Sequence, residues 1–170
     1  ASLQHLGTAT YGGGRIDSIV VQPNGKVVAT GSKVIRANAD LSQDNAFGQG
    51  GEASPVVGNG WQGGDRAVTL QGDGKILVTS YLMNGFGVIR YTADGVADST
   101  FGPNQDGIVA FALTPGNDRS YSVAVQPDGD AVVLQVHLEL VVARGGGVEV
   151  GQKKIHVVVV ARDADASVLE

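Results

Sequence analysis

The chain has 170 residues with a net charge of −5, 26 glycines and no cysteine; hydrophobic residues make up 42% and charged residues 17%. This balance excludes a disordered chain, which combines low apolar content with high charge, and it excludes disulfides and thiolate metal sites. The largest basic cluster is Lys153-Lys154, so nucleic acid and anionic membrane surfaces lack a concentrated positive face to bind, and no apolar run reaches the length of a membrane span.

Abundant glycine without a three-residue period, together with many valines, predicts short strands joined by tight turns. Ala1 to Gly14 reads as the tail of a preceding unit, because its Gly-rich end leads into a hairpin much as Ile108 to Asp118 does. Three hairpins follow. Their apolar runs flank Gln22-Pro23-Asn24-Gly25-Lys26, Gln71-Gly72-Asp73-Gly74-Lys75 and Gln126-Pro127-Asp128-Gly129-Asp130. Asn-Gly and Asp-Gly tolerate positive φ at adjacent positions, which predicts a tight two-residue turn between antiparallel strands. The hairpin glutamines recur at spacings of 49 and 55 residues, and Arg36 to Phe47 and Arg90 to Phe101 both span 11 residues. Matched residue types at matched spacing mark internal repeats. The units run over about 15–65, 66–118 and 119–170, and the extra length of the second is assigned to a loop from Tyr81 to Gly87.

The second unit, through Gln71, Asp73, Gly74, Lys75, Arg90, Tyr91, Asp94, Gly95, Asp98, Thr100, Phe101 and Gly102, resembles the delta-60 repeats found in tandem in large bacterial proteins. The first unit shares Gln22, Pro23, Gly25, Lys26, Arg36, Asp44, Phe47 and Gly48, and the likeness extends over about residues 15–144. The resemblance implies a β-propeller-like fold without an assigned activity, in a bacterial protein at the cell surface or outside the cell. After Arg144 the pattern stops. Natural divergence of a terminal unit and a reading-frame change or recombinant junction both fit residues 145–170, where Ile155 to Arg162 has strand composition and is expected to pair with the first segment.

The fold class expected is therefore all-β: one repeat domain of about three tandem four-stranded antiparallel units. Closed propellers have about four to eight blades, so three units point to completion by a homo-oligomer or to part of a longer array.

Candidate chemistry is sparse. Asp94, Asp98 and Asp106 lie in Gly-containing loops whose oxygens suit calcium; the competing reading makes Asp94 and Asp98 turn and cap residues. The same two readings apply to Asn24, Asp73 and Asp128, with turn chemistry favoured. His137 and Glu139 are two apart in a strand-like stretch and share a face, the arrangement a metal or a proton relay needs, although a polar sheet face alternates in the same way. Trp61 in a Gly-rich connection and Tyr81 are candidate contacts for carbohydrate or peptide, with burial between units the alternative for Trp61. Arg36 and Arg90, with Arg144 as a third candidate, recur once per unit, which predicts a structural pairing with Asp. No Gly-x-Ser-x-Gly elbow and no phosphate-cradling loop occurs. The expectation is a non-enzymatic module for binding or scaffolding without a cofactor; the alternative is an esterase-like hydrolase with its site in a cleft between repeats.

Overall fold

A computed structural model describes residues 14–53, 61–82, 85–111, 119–127, 131–138, 153–160 and 166–167. Strands β1 (Ile16–Val21), β2 (Val27–Gly31), β3 (Val34–Ala37) and β4 (Glu52–Ala53) form one antiparallel sheet in chain order. The second sheet is built in the same way from β5 (Trp61–Leu70), β6 (Ile76–Leu82), β7 (Gly85–Tyr91) and β8 (Ile108–Phe111). The third holds β9 (Arg119–Val125), β10 (Ala131–Leu138), β11 (Lys153–Val160) and β12 (Ala166–Ser167).

The hairpin turns differ from the two-residue form expected. Gln22 N donates to Lys26 O and Gly25 N to Gln22 O, at 2.8 and 2.9 Å, so three residues cross between the strands. Gln71, Gly74 and Lys75 repeat the arrangement. Positive φ falls on Gly25 (82°) and Gly74 (86°), while Asn24 and Asp73 keep ordinary dihedrals. A turn closed by one left-handed residue gives this three-residue loop, and glycine adopts that conformation without steric cost. The Asn24 and Asp73 side chains accept from Lys26 N and Lys75 N, both at 3.1 Å, which is the expected turn chemistry. Asp128 and Gly129 lie outside the described residues.

Successive strand residues point to opposite faces, and the middle sheet is apolar on both. Val68, Ile76, Val78, Ile89, Tyr91 and Ile108 pack with Val28, Val34, Phe47 and Ala53 of the first sheet. The intervening Ala67, Leu77, Phe86, Val88, Val109 and Phe111 pack with Val123, Ala131 and Val133 of the third. Phe86 and Phe111 stack with their rings 5.2 Å apart. A sheet covered on both faces needs near-continuous apolar strands, and Ile76 to Val78 and Val88 to Ile89 supply them. Each buried aliphatic side chain of this kind contributes about 1.5–3 kcal/mol relative to exposure.

Two further differences have local causes, and a third expectation meets only part of the chain. Tyr81 lies within β6 paired with Phe86, so the second unit's extra length extends a hairpin and does not form a loop. Trp61 opens β5 opposite Leu82, so 61–65 belongs to the second sheet and not to a connection of the first unit. Ile155 to Val160 pairs with β10 inside its own sheet, where β10 offers a full-length partner from Ala131 to Leu138; the first segment, 1–13, lies outside the described residues.

Candidate functional site

The residues that define the repeat converge on a charged cluster at the end of the third strand of the first and second units. In the first unit Arg36 stands opposite Val28, and the chain turns at Asn38 and returns so that Asp44 N donates to Arg36 O at 3.0 Å. The return brings the carboxylate alongside the guanidinium. Arg36 Nε donates to Asp44 Oδ2 at 2.6 Å, and Lys26 Nζ, at the hairpin turn, donates to the same oxygen at 2.8 Å. Gln22 Oε1 accepts from Arg36 Nη1 at 3.3 Å, and the guanidinium carbon lies 4.6 Å from the centre of the Phe47 ring.

The second unit repeats the cluster. Arg90 Nε donates to Asp98 Oδ2 at 2.7 Å, and Lys75 Nζ lies 3.1 Å from that oxygen. Thr100 donates to Asp98 Oδ1 through its amide (3.0 Å) and its hydroxyl (2.7 Å), and the Arg90 guanidinium lies 4.4 Å from the centre of the Phe101 ring. Removing charges from water is costly unless each finds a partner, and here one carboxylate meets two cations over an aromatic face.

Two cations on one carboxylate leave the first cluster with a surplus positive charge, whereas in the second Asp73 Oδ2 lies 3.6 Å from Lys75 Nζ. In the first unit the second sheet meets that surplus. Ala93 O accepts from Arg36 Nη1 at 2.5 Å, Asp94 Oδ1 lies 3.8 Å from Arg36 Nη2, and Asp94 O accepts from Gly48 N at 2.7 Å. The turn Ala93-Asp94-Gly95 of one unit is thus seated on Arg36, Phe47 and Gly48 of the unit before it.

The same contacts set the acid strengths. The Lys26 hydrogen bond, assisted by Arg36, outweighs burial and holds the Asp44 carboxyl below its ordinary value. At Asp98 burial is the largest influence and acts upward, but the Thr100 hydrogen bonds, Lys75 and Arg90 together overcome it and hold the carboxyl well below the usual carboxylate range.

The candidate cation ligands therefore go to separate tasks. Asp98 is buried and bound to Arg90, Lys75 and Thr100. Asp94 is 82% exposed at its side chain and works through its backbone carbonyl. Asp106 accepts from Ile108 N at 3.0 Å, fixing its own turn. No group of three or more His, Asp or Glu with metal-holding geometry occurs among the described residues. His137 lies in β10 opposite Lys154, and Glu139 falls outside the described residues. The expected pairing of the recurrent arginines with Asp is realised at Arg36–Asp44 and Arg90–Asp98, eight residues on in each case; Arg144 lies outside the described residues. Sequence reasoning did not anticipate the seat of Gly95 on Phe47. Its signal was the Asp94-Gly95 pair at a fixed distance after Arg90.

This geometry defines an all-β protein of propeller type, in which four-stranded antiparallel meanders stack face to face. The family model for a domain of unknown function described as a β-propeller, DUF5122, matches residues 71–101, the segment from the second hairpin turn to Phe101. No curated protein matches the sequence. Among solved structures, a virginiamycin B lyase from Staphylococcus aureus is similar at 13% identity with a TM-score of 0.47, over 91% of this chain and 55% of that one. A protein of unknown function from Bacteroides caccae is similar at 13% identity with a TM-score of 0.38, over 85% of this chain and 62% of that one. The chain thus spans little more than half the length of these structures.

Proposed function

We propose that the chain is a non-catalytic module of a propeller-type array, built from units of the delta-60 kind, which presents a carbohydrate- or peptide-binding surface or a scaffold at the bacterial cell surface. One observation carries this reading: the ionisable residues that recur from unit to unit are used within the protein. Lys26, Arg36 and Asp44, like Lys75, Arg90 and Asp98, meet one another. What repeats is architecture, and ligand selectivity belongs to the residues that differ between units, of which Tyr81 and Trp61 are the first choices.

The test is binding of the full chain to arrays of glycans and extended peptides, with turnover of generic esters measured on the same preparation. Saturable binding weakened by Tyr81→Ala, without turnover, supports the reading. Ester turnover abolished by His137→Ala would overturn it in favour of a hydrolase.

A further inference from the structure

In the row of three sheets, the first has one face that no other sheet covers among the described residues, and that face is apolar. Ile16, Ile19 and Val21 of β1 are 51%, 62% and 59% exposed, and the strand register places them with Val27 and Ile35. The second sheet shows what such a face is for. Counted from Gln22 and Gln71, Ile19, Val21 and Val27 correspond to Val68, Leu70 and Ile76; counted from Arg36 and Arg90, Ile35 corresponds to Ile89. All four counterparts are packed in the core shared with the preceding sheet. Val123, Val125 and Ala131 of the third sheet occupy the same places against the second.

The opposite face of each first strand carries smaller residues. Ser18 and Val20 correspond to Ala67 and Thr69, and these to Ser122 and Ala124. Ser18, Val20, Ala67 and Thr69 are at least half-buried between sheets, whereas Ser122 and Ala124 are exposed at the far end of the row. The contact used twice inside the chain is thus left half-made at each end: a large apolar face on β1 and its small-residue complement on β9.

Leu41 selects what covers the open face. It stands where the second unit has Gly95, in the same left-handed conformation (φ 66° against 81°). A Cβ at Gly95 would lie 2.6 Å from the Phe47 ring. A sheet that carried a phenylalanine in the place of Phe47 would therefore collide with Leu41 if it packed as the first sheet packs on the second. The third sheet brings no such ring, because no phenylalanine follows Phe111 in the chain.

We propose that the open face of β1–β3 receives the third sheet of a second copy of this chain, head to tail. Two copies then stack six sheets, within the roughly four to eight blades of closed propellers, and head-to-tail contacts of this kind close into a ring when the rotation permits. The inference rests on reading the chain as a stacked-sheet module, which ligand binding tests independently of association.

Light scattering after size-exclusion chromatography of the full chain reads the outcome. The wild type is expected at twice the chain mass of 17.4 kDa. Ile19→Asp and Ser122→Arg alter exposed positions at opposite ends, so each should fold with unchanged circular dichroism and run at the single-chain mass. Mixing the two variants should restore a two-chain species, because one intact Ile19 face then meets one intact Ser122 face. A monomeric wild type at high micromolar concentration overturns the proposal. So does a dimer that survives either substitution, which would place the contact elsewhere or make it face-to-face between two β1 surfaces.

Discussion

Gly95 of the second unit lies directly on the ring of Phe47 in the first, so closely that a single added methyl group would stand 2.6 Å from Cε2. The same turn delivers the carbonyls of Ala93 and Asp94 to Arg36 and Gly48. Packing, hydrogen bonding and charge compensation between the first two sheets thus coincide at one three-residue turn, and the repeat's Arg, Asp, Phe and Gly are the parts that make it.

Asp98 and Asp94, four residues apart and alike in sequence, should respond very differently to substitution. Asp98→Ala leaves Arg90 without its buried partner and should cost about 3–5 kcal/mol, the range for breaking a buried ion pair from one side. Asp94→Ala keeps its backbone carbonyl and removes only an exposed, long ion pair, so it should change stability by less than about 0.5 kcal/mol. Urea unfolding of the two variants measures both. If the two aspartates were calcium ligands, both substitutions would abolish a calcium-dependent rise in Tm; the clusters described here predict no such rise to abolish.

Acid should loosen the protein through the same carboxylates. Asp44 and Asp98 are held below their ordinary value of 3.8 in the folded chain. Their contribution is therefore fully present above about pH 5, and it is lost as the pH falls below the ordinary value toward their folded ones, because the unfolded chain then binds protons the folded chain refuses. Stability measured from pH 7 down to pH 2 should fall steeply below pH 4, and the slope should be shallower in the Asp44→Asn, Asp98→Asn double variant.

Leu41 pays for its place in a left-handed turn. Such a conformation costs a non-glycine residue about 1–2 kcal/mol, and the Asn38–Leu41 hydrogen bond at 2.9 Å holds it there. Leu41→Gly should therefore raise stability by about 1 kcal/mol by thermal unfolding, unlike glycine substitution at most partly buried leucines. A loss would show that the leucine side chain contributes more packing than its backbone costs.

Much of this fold was legible in the chain. Gln22 to Lys26 and Gln71 to Lys75 marked the hairpins, the equal spacing from Arg36 to Phe47 and from Arg90 to Phe101 marked the repeat, and the recurrence of Arg36 and Arg90 pointed to their pairing with Asp. The contacts between units were not legible, because the approach of Gly95 to Phe47 depends on how two sheets stack and leaves no period in the sequence. The turn type was not legible either, because Asn-Gly and Asp-Gly serve two-residue and three-residue loops alike. Val157 to Val160 hid its register for another reason: a run of identical β-branched residues has no alternation to distinguish its faces. The structure sets Val159 opposite Val132, where the other units have Arg36 opposite Val28 and Arg90 opposite Leu77.

The most direct measurement is a double-mutant cycle across the first two sheets, combining Gly95→Ala with Phe47→Leu under urea denaturation. Gly95→Ala alone should cost about 2–3 kcal/mol, from the added methyl group and from a positive φ that alanine resists. In the Phe47→Leu background, where a smaller side chain can give way, the cost should fall by at least about 1 kcal/mol, the coupling expected of residues in direct contact. Strictly additive effects would contradict the account, because they would mean that the repeat's glycine and phenylalanine do not hold neighbouring sheets together.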